Sequence, residues 1–219
     1  MPDVEALLEE LESDDPREAL REARTLLEDE KLSPEERSRL AYGIAAGYFK
    51  IGIYGDALDW LEETESDRRW MLKGFCHSNL DQHKQARDSF LKAAREQPEN
   101  ARGALLLAAQ SLAAREQYES AVEELEGLLN QDPPPRMDAE IRYNLGMIHV
   151  ETDDLTVARD WFESVIERPE RDAFVDESLL QLAQVLEDLG QIEPALERVN
   201  QLDERIEEIQ TEADAEESP

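Results

Sequence analysis

Three histidines (His77, His83 and His149), one cysteine (Cys76) and the doublet Asp153-Asp154 are the side chains best suited to proton transfer, nucleophilic attack or metal ligation. Their spacing supports none of these reactions. The chain has no HExxH, no paired CxxC, no GxGxxG or GxxxxGKS/T loop and no Gly-x-Ser-x-Gly elbow. His77 and His149 stand at the same register of two similar segments, which predicts packed neutral imidazoles. Asp153-Asp154 falls between two helical patterns, where Asp is first of all a turn former. Cys76 has no second thiol to pair with and sits beside an apolar stripe, as suits a reducing compartment. Close carboxylates are common only because 54 of the 219 residues are acidic. No catalytic residue, metal or cofactor is expected, and the protein reads as a non-enzyme.

A different chemistry, burial of a partner's apolar surface, is better represented. Tyr42, Ala46 and Phe49 follow the spacing i, i+4, i+7, as do Met71, Phe75 and Ser78, then Leu106, Gln110 and Ala113, then Tyr143, Met147 and Val150, and last Leu180, Gln184 and Glu187. Each triplet shares one face of a helix. Tyr42, Phe49, Phe75 and Tyr143 would act as rigid anchors, and Met71 and Met147 as adaptable ones. The face is apolar in the first four triplets and polar in the fifth. The same side chains would alternatively pack against neighbouring helices, or be covered by the last helix of the chain.

These triplets lie on the first helices of a repeated helix pair. Aligned on the small residue near the start of each second helix, the repeats give Ala57, Ala86, Ala121, Ala158 and Ala195, at spacings of 29, 35, 37 and 37. Twelve residues before each stands another small residue: Ala45, Gly74, Ala109, Gly146 and Ala183. Four residues after each comes a bulky one: Leu61, Phe90, Leu125, Phe162 and Val199. A small side chain lets two antiparallel helices approach, and a large one nearby fills the remaining volume. Pro98, the run DPPPR at 132–136, and Pro169 close several repeats, where a helix must stop. Trp70, Gly74, Ala86, Phe90, Ala93 and Pro98 together resemble the tetratricopeptide repeat family, although Lys73 and His77 occupy its Leu and Tyr places. The resemblance implies an all-α fold, a right-handed α-solenoid or superhelix of helix-turn-helix repeats. It also implies a concave groove, lined by the first helices, that receives partner peptides. Some relatives hold a C-terminal carboxylate with Lys, Asn and Arg from successive first helices. Here Tyr42, Ala46, Gly103 and Leu107 stand at such places, so that route is not expected.

The expected organisation is a degenerate N-terminal helix pair over 1–37, then five repeats over 38–203 (about 38–66, 67–101, 102–138, 139–175 and 176–203). An acidic helical extension with a disordered tail follows over 204–219. Asp15 before Pro16, and Ser33 before Pro34 with Glu36 three residues on, read as helix starts. Val199, Leu202, Ile206 and Ile209 continue an apolar stripe that would shield the last repeat or support a homodimer.

The formal net charge of −31 argues against nucleic acid and anionic membranes as direct partners. No window is apolar enough to span a bilayer and the N-terminus lacks a signal-peptide pattern, so a cytoplasmic location is expected. Two thirds of the charge lies at the ends, −9 over 1–37 and −12 over 176–219. This distribution would steer a partner with basic flanks, or simply solvate the terminal repeats. Arg outnumbers Lys 18 to 5, which with the acidity resembles salt-adapted proteins, although a GC-rich genome biases codons the same way. The expected function is an adaptor or scaffold that binds an apolar or amphipathic segment of another protein. A self-associating structural protein is the alternative.

Overall fold

A computed structural model describes residues 4–28, 32–168 and 173–216, with the side chains of 173, 209 and 212–216 left out. Pro169 and the Ile209 side chain, both singled out in the sequence, lie outside the described residues. The described residues contain α-helices and one 3-10 turn, and no strand. The helices are α1 (Val4–Leu11), α2 (Arg17–Leu26), α3 (Pro34–Lys50), α4 (Tyr54–Glu62), α5 (Arg69–Asn79), α6 (His83–Glu96), α7 (Ala101–Ala113), α8 (Tyr118–Leu129), α9 (Pro135–Glu151), α10 (Leu155–Ile166), α11 (Ala173–Asp188) and α12 (Ile192–Glu216). They divide into two compact units, one ending at Glu116 and the other beginning at Gln117.

One turn recurs from α3 onward. Gly52, Asp81, Glu116, Asp153 and Gly190 each adopt a positive φ, between 55° and 77°, directly after a first helix. In four of these turns the next residue's N–H then reaches back to the carbonyl five residues earlier: Ile53 to Tyr48 at 2.9 Å, and Gln82 to His77, Asp154 to His149 and Gln191 to Leu186 at 2.8 Å. This is a Schellman closure, in which one left-handed residue reverses the chain and satisfies a terminal carbonyl. Asp153 is thus a turn residue, as its composition suggested. At the start of α3 the capping box is complete. The Glu36 N–H donates to Ser33 Oγ at 3.2 Å, and the Ser33 N–H donates to the Glu36 carboxylate at 2.8 Å. The start of α2 lies one residue later than expected, with Pro16 at the N-cap.

In the N-terminal unit, Leu7, Leu11, Leu20 and Ala23 pack on Leu40, Ile44, Ala45, Ala57 and Leu61. The α1–α2 pair thus shares one core with the first repeat. A second cluster joins Ala86 and Phe90 of α6 to Ala108 of α7, with Met71 and Phe75 against it. In the C-terminal unit Ala158 and Phe162 of α10 pack with Leu182, Val185 and Leu186 of α11 and Ala195 of α12.

The small-to-large pairing has a steric basis. A Cβ at Gly74 would stand 2.3 Å from Phe90 Cε1, and one at Gly146 would stand 2.6 Å from Phe162 Cε1. Glycine therefore occurs where the facing residue is Phe, whereas Ala45 serves opposite the smaller Leu61.

Lys73, at the family's Leu place, is 5% exposed. Its ammonium donates to Glu62 Oε1 at 2.6 Å and lies 4.8 Å from the centre of the Trp70 ring, which Lys92 approaches to 4.1 Å. A buried cation is tolerated because it has a carboxylate partner and a π face. Cys76 is buried, and burial pushes its thiol pKa up to about 11, so it is protonated and unreactive near neutrality.

The last helix extends further than the sequence suggested. Its range includes residues 211–216 of the expected tail, and Thr211 Oγ1 donates to the Glu207 carbonyl at 2.7 Å. The Glu and Ala residues of this stretch are strong helix formers.

Candidate partner-binding faces

In the N-terminal unit, Tyr42, Ala46 and Phe49 of α3 and Met71 and Phe75 of α5 are all half-buried, with one side against the core. Phe49 lies 5.5 Å from Tyr54 and 6.3 Å from Phe75, and Phe75 meets Phe90 edge-on at 5.5 Å, all measured between ring centres. These aromatics thus combine the two roles the sequence left open, packing against neighbours while keeping some exposed surface.

A concavity of about 380 Å³ opens beside Tyr42 and Ala46. Leu8 and Glu9 of α1, with Glu12 just after it, wall it on one side, and Arg68 lies at its rim. Arg39 is held across it by Glu5, with nitrogen–oxygen distances of 2.7 and 2.8 Å. That bidentate bond keeps the Glu5 carboxyl below its ordinary pKa. Burial raises the Tyr42 phenol, with Glu12 adding to the shift and Arg68 opposing it. The contribution of α1 was missed in the sequence, where the N-terminal pair was set apart from the groove. The available signal was Leu8, an apolar residue off the Leu7–Leu11 core stripe.

On α7 the expected face is corrected. Leu106 is 3% exposed and belongs to the core, so it cannot line an open groove in this arrangement. The helix ARGALLLAAQSLA is apolar on nearly every side, so its apolar periodicity does not distinguish a core face from an outer one. Gln110 remains partly exposed.

In the C-terminal unit, Tyr143, Met147 and Val150 of α9 are half-buried against the core. The Tyr143 ring lies 5.9 Å from Phe162 and 5.7 Å from Phe174, and burial raises its phenol pKa, with Glu177 adding to the shift. On α11, Leu180, Gln184 and Glu187 are exposed as expected. This region is not simply polar, because Ile192, Leu196 and Val199 of α12 join them around a trough of about 600 Å³. The α12 extension does not cover it among the described residues. Leu202 packs inward against the cluster of Ala139, Val165, Val175 and Leu179, and Arg205 pairs with Asp176, while Leu196 and Val199 are 57% and 42% exposed.

The histidines do not converge. His77 Nδ1 lies 2.7 Å from Gln82 Oε1, and His149 Nδ1 lies 3.7 Å from Asp154 Oδ2, each within its own turn. Among the described residues no group of three or more His, Cys, Asp or Glu is arranged to hold a metal ion, and no helix is long and apolar enough to cross a membrane.

Against known proteins, tetratricopeptide repeat family models match residues 67–100 and 106–173. A comparison with curated protein sequences finds no match. Among solved structures, the chain is similar to the apo form of the quorum sensor NprR from B. thuringiensis. The TM-score is 0.72 at 17% identity, covering 91% of this chain and 61% of that one. It is also similar to apo RapI, with a TM-score of 0.73 at 13% identity, covering 85% and 58%. The C-terminal part of a TPR repeat-containing protein from Cytophaga hutchinsonii gives 0.73 at 14% identity, covering 91% and 79%. NprR is also known in complex with its cognate peptide NprX. The chain thus spans about three fifths of NprR and RapI, and likenesses at these identities establish the fold alone. The shared fold is the helical-repeat solenoid, and with two family models matched in its middle the chain is a tetratricopeptide repeat protein.

Proposed function

We propose that this protein is a non-enzymatic scaffold that binds an apolar or amphipathic segment of another protein on its first-helix faces. The observation that carries this reading is in the N-terminal unit. Tyr42, Ala46, Phe49, Met71 and Phe75 form a half-exposed apolar face on α3 and α5, beside a concavity walled by α1. Covering such a face returns about 25 cal/mol per Å² of apolar area, less the cost of ordering the bound segment. Arg68, Glu9 and Glu12 at its edge would fix the segment's register through polar contacts. The peptide complex of NprR supports the reading by analogy of fold only.

The test compares proteins retained from native cytosol by wild type and by Ala46→Arg, which fills the concavity without removing a core contact. A partner kept by the wild type and lost by the variant is the expected result. Identical retained sets would overturn the reading. Replacing Phe75 or Tyr143 instead would confuse binding with stability, because each ring also packs on a buried Phe.

Self-association through α12 is the competing reading, with Val199 and Ile206 exposed for it. The charge of −12 that each copy carries over 176–219 opposes it.

A further inference from the structure

The trough between α11 and α12 occupies a position that is filled elsewhere in the chain. Ala86 and Phe90 of α6 are 0% and 1% exposed because α7 packs over them through Ala108. Ala158 and Phe162 of α10 are both fully buried because α11 packs over them through Leu182 and Val185. The equivalent residues of the last pair are Ala195 and Val199, and Val199 is 42% exposed. Leu180, Ile192 and Leu196 beside it are more than half exposed. In both filled cases the occupant is an α-helix that presents small and branched apolar side chains. The open trough, about 600 Å³, is therefore shaped for one more first helix.

Charge selects among possible occupants. Glu187 of α11 lines the trough, and Glu177, Glu193, Glu197 and Asp203 are exposed within about one helical turn of its lining residues. The two arginines of this segment are engaged elsewhere, Arg198 with Glu163 at 4.0 Å and Arg205 with Asp176. A second copy would bring another segment of charge −12 against this one. A helix flanked by Lys and Arg would meet complementary charge on both sides. We infer that the slot between α11 and α12 receives a basic amphipathic α-helix of a partner protein, docked as a further first helix. This surface is separate from the face formed by α1, α3 and α5, and its test is independent of that face.

The probe is a fluorescently labelled 16-residue peptide with the sequence of α11, residues 173–188, changed by Asp176→Lys, Glu177→Lys, Glu187→Lys and Asp188→Lys. It keeps the Leu182, Val185 and Leu186 surface that fills the equivalent slot on α10. Anisotropy titration of the full chain is expected to give saturable binding in roughly the micromolar range. Leu196→Glu and, separately, Leu180→Glu should each weaken it at least about tenfold, a change of about 1.4 kcal/mol. Both residues are more than half exposed, so the melting temperatures of the variants should match wild type and exclude misfolding as the cause. Equal binding by the unmodified acidic peptide, binding indifferent to both substitutions, or no binding up to about 1 mM (a free energy of about −4 kcal/mol) would each overturn the proposal. A concentration-dependent doubling of mass in light scattering, lost in Leu196→Glu, would also overturn it by showing that a second copy occupies the slot.

Discussion

Gly74 and Phe90 show how finely single residues set the helix pairs. The 2.3 Å separation awaiting a Cβ at Gly74 leaves the Phe90 ring no room, since that ring is itself buried and held edge-on by Phe75. Gly74→Ala is expected to destabilise the protein by about 1–3 kcal/mol, as overpacking does. Adding Phe90→Leu should recover part of that loss, reproducing the Ala45–Leu61 combination. Urea unfolding of the two single variants and the double variant measures the coupling, and strictly additive effects would contradict the steric account.

Lys73 gives a second residue-scale test. Its bond to Glu62 lowers the Glu62 pKa below the ordinary carboxylate value. The native state therefore binds fewer protons there than the unfolded state. The pair's contribution is present above the ordinary carboxylate range and is lost as pH falls through the depressed native value. Lys73→Met should change stability by less than about 1 kcal/mol at pH 7, because an apolar side chain suits the site. It should also flatten this part of the acid limb, and a stability–pH curve parallel to wild type would refute the assignment. The glycine–phenylalanine pairs were legible in the sequence because both members recur in register. Lys73 was legible only as a departure from the family pattern. Its partner Glu62 lies on the preceding repeat, and only the packed α4–α5 arrangement brings the two together.

Among the elements, the turns are the most uniform. Asp81, Glu116 and Asp153 hold left-handed backbone at places where the first and fifth turns use Gly52 and Gly190. A non-glycine residue carries a conformational cost there that glycine avoids. Glu116→Gly is expected to raise stability by roughly 0.5–1 kcal/mol, net of glycine's greater freedom in the unfolded chain. A loss of stability in thermal or urea unfolding would show that the turn is not strained. Helix pairing could be read from the small–large register, and the helix faces could be read wherever one side is clearly polar. Tyr42, Phe49 and Phe75 lie on helices with such a side and are half-exposed, whereas Leu106, on an all-round apolar helix, lies in the core and not on the surface expected of it. The role of α1 beside Tyr42 depends on tertiary packing through Leu7 and Leu11, which local periodicity does not report.

For the whole molecule, the two units present different surfaces. The N-terminal unit has a half-exposed aromatic face beside a concavity with mixed charge, and the C-terminal unit has an open apolar trough with acidic flanks. Total charge was legible from composition, but its meaning depends on which carboxylates border an apolar surface. The sequence could not show that the last pair leaves Val199 open, because the same alanine and bulky residue are buried in earlier pairs by a helix that follows. The central claim, that α3 and α5 present a partner-binding face, is tested most directly by a photo-cross-linking residue placed at position 46, with a matched one at the exposed outer position 22, in native cytosol. The account predicts a discrete cross-linked protein from position 46 that is absent from position 22 and is lost when Met71→Glu is added. Equal cross-linking from both positions, or none from position 46, would contradict it.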